Sequence, residues 1–145
     1  MSTVTSATLS DSDRVAIASL TQRVIAAWAY HDAASFADVF TEDGTMVLEG
    51  VFRKGRDQIR DYMAAAFEGV YKGTQVTGKP LDMRPLGADA AILLSLGGVL
   101  EAGESEISET GAVHAAWVVV RQDGQWLLAA YQNTPKNARA GVASS

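Results

Sequence analysis

The sequence contains no cysteine. That excludes disulfide staples, thiolate zinc sites, iron–sulfur clusters and cysteine nucleophiles. It has two histidines, His31 and His114, far apart and without HExxH spacing, so no metal centre is expected. Lysine and arginine total 12 against 17 aspartates and glutamates, a net charge of −5, and no basic stripe forms. Nucleic-acid binding is therefore disfavoured, because phosphate neutralisation needs clustered cations. No apolar run approaches the ~18 residues of a membrane span. The start of the chain, Met1 to Asp13, is polar and lacks the basic and apolar regions of a secretory signal. A cytoplasmic protein without membrane contact is expected. There is also no internal repeat, no heptad run and no phosphate-binding glycine loop.

What is present suits one globular domain. The 145 residues are 48% hydrophobic and 20% charged. A chain of this length buries roughly 68–70% of its unfolded surface, enough for a core with one pocket. The reading is a disordered tail over 1–10, a domain over 11–135 and a flexible tail over 136–145.

Ser10 and Asp13 resemble a capping box. They predict a helix from about Asp11 to His31, with an apolar stripe of Ile17, Leu20, Val24, Ala27/Trp28 and then His31. Ala33–Phe40 reads as a short second helix, and Thr41–Gly44 as a turn. Thr45–Glu49 and Val51–Lys54 are strand candidates. Gly55 opens a third helix carrying Ile59, Tyr62/Met63 and Ala66/Phe67, with Gly73 as its C-terminal cap. Strands follow over Thr74–Arg84, Ala88–Glu101, Thr110–Arg121 and Gln125–Thr134. Pro80 puts the first of these near an edge, and Asp123-Gly124 marks a tight hairpin. Helices first and strands afterwards indicate an α+β fold with an antiparallel sheet.

Four strings, in this order and spacing, resemble the nuclear transport factor 2-like superfamily, in its SnoaL-like branch. They are Trp28–Asp32 running through Phe36 to Phe40–Gly44, Arg53–Ile59, Pro85–Ala90, and Val118–Trp126 ending in Tyr131–Pro135. Together they cover about residues 12–135. The last is similar to small proteins of the SgcJ/EcaC type, which include members of enediyne antibiotic biosynthesis. The resemblance implies a cystatin-like cone, three N-terminal helices closing over a curved antiparallel sheet. It also implies an apolar pocket and a homodimer through the outer sheet face. The superfamily hosts isomerases, cyclases, dehydratases, hydrolases and binding proteins, so fold alone does not settle function.

Matching the steroid isomerases residue by residue puts Val24 where they keep a tyrosine and Leu48 where they keep a catalytic aspartate. Neither moves a proton. Glu49 is one residue away, on the opposite face of a strand unless a bulge intervenes. Cofactor-free acid–base chemistry of the cyclase kind then points to His114, in phase with Ala112, Ala116, Val118 and Val120. That small series suits the face beneath the helices, and the imidazole titrates near neutrality. Catalysis, pocket lining and a structural role all stay open for it. Trp28, Phe36, Met46, Phe52, Tyr62, Met63 and Phe67 are candidates for lining the pocket, each also readable as core. Gln132, in phase with Trp126, is a candidate to orient a carbonyl. Trp117, opposite in phase to His114, belongs with Val119 on the outer face, where a homodimer would cover them. No cofactor and no metal is called for. The expected ligand is an apolar, polyketide-derived intermediate, either transformed or simply held.

Overall fold

The computed structural model describes residues 9–109 and 111–137. Helix α1 spans Asp11–Ala29 and begins at a true capping box. The Asp13 amide donates to Ser10 Oγ at 3.0 Å, and the Ser10 amide donates to Asp13 Oδ2 at 3.4 Å. A cap of this kind is worth about 1 kcal/mol. Its stripe of Ile17, Leu20, Val24, Ala27 and Trp28 is buried, as the spacing predicts. The helix stops two residues short of the expected end, because His31 adopts a left-handed φ of 52°. Asp32 then caps α2, Ala33–Asp38, by accepting from the Ser35 amide at 3.0 Å.

Strand β1, Phe40–Leu48, starts earlier than expected. Thr41–Gly44, read from sequence as a turn, belongs to this strand, whose register slips between Phe40 and Thr45. Strand β2, Val51–Lys54, pairs back on β1. Gly55 precedes α3, Arg56–Glu68, which is capped by Gly69 and not by Gly73. The remaining strands are β3 (Gln75–Pro85), β4 (Ala90–Leu100), β5 (Ala112–Gln122) and β6 (Gln125–Pro135). Asp123 (φ 50°) and Gly124 (φ 79°) form the two-residue hairpin between the last two, matching the left-handed pair such turns require.

The sheet order is β2-β1-β6-β5-β4-β3. All neighbours are antiparallel except β1 and β6, which run parallel, so the sheet is mixed and not purely antiparallel. β3 is an edge strand, where Pro80 costs no ladder bond, and its register slips between Pro80 and Asp82. The three helices cover one face. Ile17, Phe40, Met46, Ile59, Met63, Leu93, Val119 and Leu128 are almost fully buried between the layers. Each such side chain contributes roughly 1.5–3 kcal/mol on leaving water. This is an α+β fold with three helices on one face of a curved, mixed sheet. No helix among the described residues is long and apolar enough to cross a membrane.

Two polar ties fix the helices on the sheet. At one end, Arg121 donates to Asp13 Oδ1 (2.8 Å), Asp89 Oδ1 (3.0 Å) and the Ala88 carbonyl (2.7 Å). At the other, the buried Trp28 Nε1 donates to Thr74 Oγ1 at 2.9 Å. Trp28 also packs edge-on to Phe67, with ring centroids 5.4 Å apart.

Candidate functional site

Between the helices and the concave face of the sheet lies a cavity of about 410 Å³. α1 supplies Val24, Ile25 and Trp28, α2 supplies Phe36, and α3 supplies Tyr62 and Met63. Met46 and Leu48 of β1, Leu93 and Ser95 of β4, Ala115 and Trp117 of β5, and Tyr131 and Asn133 of β6 form the floor.

Strand phase decides which residues belong to that floor. On β5, Val113, Ala115, Trp117 and Val119 face the helices: three of them line the cavity, and Val119 is 1% exposed in the core. Trp117 packs edge-on against Tyr131, with ring centroids 4.9 Å apart. The outer-face assignment of Trp117 and Val119 is therefore corrected. His114 has the opposite phase, lies opposite Leu96 and Thr134, and is exposed outside the cavity. Two apolar series alternate along this strand, and the bulkier one fills the space under the helices.

Gln132 is displaced for a different reason. The β5–β6 register passes from Val119↔Leu128 to Val118↔Ala130, so Ala129 is an extra residue in β6. One extra residue flips every later side chain. Trp126 and Leu128 point inward, and beyond the bulge Tyr131 and Asn133 do so, leaving Gln132 exposed on the outer face. Phe52 also lies outside, 59% exposed, opposite Val47. Phe67 is buried core beside Trp28 and His31 and does not reach the cavity lining. Trp28, Phe36, Met46, Tyr62 and Met63 are all in the lining. His31 is not; it stacks on Phe67 with ring centroids 5.1 Å apart, and its Nε2 lies 3.1 Å from the Thr74 carbonyl.

Apart from Tyr62, the polar groups of the interior escaped the sequence reading. Tyr71 lines the cavity, packs on Trp28 at 4.6 Å between centroids and shares a hydrogen bond with Tyr62. Burial, with Tyr62 adding to it, pushes the Tyr71 phenol up to about 12. Burial likewise raises Tyr131, against a small opposing effect of the Asn133 amide, which donates to Tyr131 Oη at 3.0 Å. Trp117 Nε1 donates to Ser95 Oγ at 3.0 Å. The Arg53 guanidinium sits 4.9 Å from the centre of the Tyr62 ring. Phenols held protonated in an apolar space are neutral hydrogen-bond donors, not bases.

Among the described residues Glu49 is the only carboxylate in the lining, and its residue is exposed. Val24 and Leu48, the stand-ins for an isomerase's tyrosine and aspartate, both line the cavity. Among the described residues no group of three or more His, Cys, Asp and Glu could hold a metal ion. The glycines of β3 and β4 keep the far wall thin. A Cβ on Gly97 would lie 2.8 Å from the Gly78 Cα and would collide with the Thr77 carbonyl.

Comparison with known proteins agrees with this architecture. A profile of the SnoaL-like domain matches residues 10–132. No curated protein matches the chain. A domain with a cystatin-like fold from Nostoc punctiforme superposes with a TM-score of 0.82 at 28% identity, over 89% of this chain and 80% of that one. The hexachlorocyclohexane dehydrochlorinase LinA-type3 from Novosphingobium barchaimii gives a TM-score of 0.73 at 17% identity, over 90% and 92%. A ketosteroid isomerase-like protein from Erwinia carotovora gives 0.70 at 16%, over 89% and 100%. At those last two identities the likeness is one of fold.

Proposed function

The chain belongs to the SnoaL-like domain family, and we propose that its cavity binds an apolar, multi-ring intermediate of polyketide type. The observation that carries this reading is the cavity itself. Its volume of about 410 Å³ falls within the roughly 300–1,000 Å³ usual for small-molecule sites. Trp28, Phe36, Trp117 and two methionines give it an apolar, aromatic-rich lining. The placement in polyketide and enediyne antibiotic biosynthesis, in the cytoplasm, rests on the four sequence strings. Binding without turnover is the favoured form, because the lining holds no histidine and no aspartate among the described residues.

A cofactor-free acid–base step is the second reading, favoured by Glu49 in the lining. Glu49 would take or return a proton during cyclisation, isomerisation or dehydration, with Tyr62 donating to an oxygen. We also propose a homodimer through the outer face, on Leu94, Ala116 and Val118, which alternate with the concave residues in adjoining register. Val118→Lys should convert the dimer to a monomer in sedimentation.

Equilibrium dialysis against fluorene, a rigid three-ring hydrocarbon, tests the pocket. Saturable one-to-one binding is expected, lost in a Val24→Trp variant that keeps its circular dichroism. No binding to the parent protein would refute the reading.

A further inference from the structure

The floor of the cavity has a hydrogen-bond polarity. Ser95 Oγ accepts from Trp117 Nε1, and Tyr131 Oη accepts from Asn133 Nδ2, each at 3.0 Å. A hydroxyl carries one donor hydrogen besides its acceptor lone pairs. In both residues the oxygen is already supplied by the protein, and the O–H has no acceptor among the described residues. Trp117 and Asn133 thus orient two hydroxyls so that their hydrogens are the groups left for a ligand.

Their placement on the sheet is specific. Ser95, Ala115 and Asn133 are cross-strand neighbours on one row, and Leu93, Trp117 and Tyr131 on the next. Ser95 and Tyr131 therefore flank Ala115, whose short side chain keeps the floor low between them. Backbones two strands apart are roughly 9.5 Å from each other. A flat ring resting on Ala115 meets a donor at either edge. Among the described residues two charged ones also line the cavity, both exposed: Glu49 at the end of β1, and Lys79 on β3, next to the Pro80 that pairs with Ser95.

We propose that Ser95 and Tyr131 are specificity-determining residues that select ligands by polarity, donating to an acceptor oxygen on a ring edge and so favouring ring-edge acceptors over ring-edge donors. A carbonyl, or an enolate derived from it, is accepted. An aromatic amine of the same size, with its lone pair delocalised into the ring, is a poorer acceptor for these two hydrogens. Sites built to hydrogen-bond a ligand discriminate strongly against analogues that leave their polar groups unpaired. This inference rests on the cavity being the binding site.

The test compares three compounds on one skeleton by equilibrium dialysis: fluorene, 9-fluorenone and 2-aminofluorene. Fluorenone is expected to bind about tenfold tighter than fluorene, the worth of one buried hydrogen bond. Aminofluorene should bind no tighter than fluorene. In a Ser95→Ala/Tyr131→Phe double variant the fluorenone advantage, taken as the ratio to fluorene on the same variant, should vanish. Measurable fluorene binding reports that the variant's cavity is intact; if the double variant does not fold, at least one of the two single variants should reduce the advantage, and full retention in both would overturn the assignment. Equal binding of fluorenone and fluorene to the parent protein would overturn the polarity rule and leave the pocket reading standing. An advantage that survives the double variant would overturn the assignment to these two residues. Failure of all three compounds to bind would overturn both.

Discussion

Trp117 donates its indole N–H to Ser95 Oγ across the β4–β5 ladder, 3.0 Å away on the concave side of the sheet. This bond settles the phase of β5. Trp117 and Ser95 are inside, and the alternate series carrying His114 is outside. The cavity floor is consequently lined by aromatic rings and neutral hydroxyls, with no imidazole among the described residues.

The first prediction concerns His114. Its exposed position beyond the cavity means that His114→Ala should leave ligand affinity unchanged. Stability should stay within about 0.5 kcal/mol, as for an ordinary surface substitution. Dialysis and thermal melts on the same sample check both. A tenfold loss of affinity would place the imidazole in the binding site after all.

Gly97→Ala should be disruptive. The added methyl would meet backbone, the Gly78 Cα at 2.8 Å and the Thr77 carbonyl, which cannot rotate away. Overpacking of this kind costs about 1–3 kcal/mol. Chemical denaturation should show it as a lower midpoint with an unchanged slope. Because Gly97 lines the cavity, ligand affinity should fall as well.

Acid stability should depend on Asp13. Burial pushes its carboxyl up, but the Ser10 hydroxyl and amide, the Trp126 indole and the Arg121 guanidinium together hold it below its ordinary 3.8. A carboxyl lowered in the folded state contributes stability that is fully present above the unfolded value and is lost as pH falls through the folded one. Asp13→Asn should therefore melt lower than the parent at neutral pH, and the gap should narrow below pH 3.8. A gap that is constant with pH would mean that Asp13 acts through packing alone.

At high pH the sign reverses. The Tyr71 phenol is raised from 10.0 to about 12, and Tyr131 is raised too, in each case chiefly by burial. Groups whose folded value is raised contribute stability below the unfolded value and lose it as pH rises through the folded one. Stability should decline between pH 10 and about 12. Ultraviolet phenolate titration should show two of the four tyrosines ionising late, and Tyr71→Phe should remove one of them.

Much of the fold was legible because it is written locally. Ser10 and Asp13 announce α1, Asp123-Gly124 announces the last hairpin, and Pro80 marks an edge strand. Val24, Trp28, Phe36, Met46, Tyr62 and Met63 reached the cavity because helical spacing, or one short strand, fixes their direction. What failed depends on distant partners. The parallel pairing of β1 with β6 has no signature in either strand. The extra residue at Ala129 is invisible until β5 is laid beside β6, and it exchanged Gln132 for Tyr131 and Asn133. On β5 both faces are apolar, so alternation alone left the choice open. The bulk of Trp117 was the available signal, since a large ring fills the space under helices better than an alanine. Tyr71 lies after α3 and gave no periodic signal at all.

The central claim is that an apolar ring ligand enters between the helices and the Trp117 face of the sheet. Methyl NMR of the methionines during titration with fluorene tests it most directly. The chain has four methionines, of which Met46 and Met63 line the cavity and Met83 does not. The Met46 and Met63 signals should move together and saturate, while Met83 stays still. Movement of Met83 alone, or no movement at Met46 and Met63 when fluorene is bound, would contradict the account.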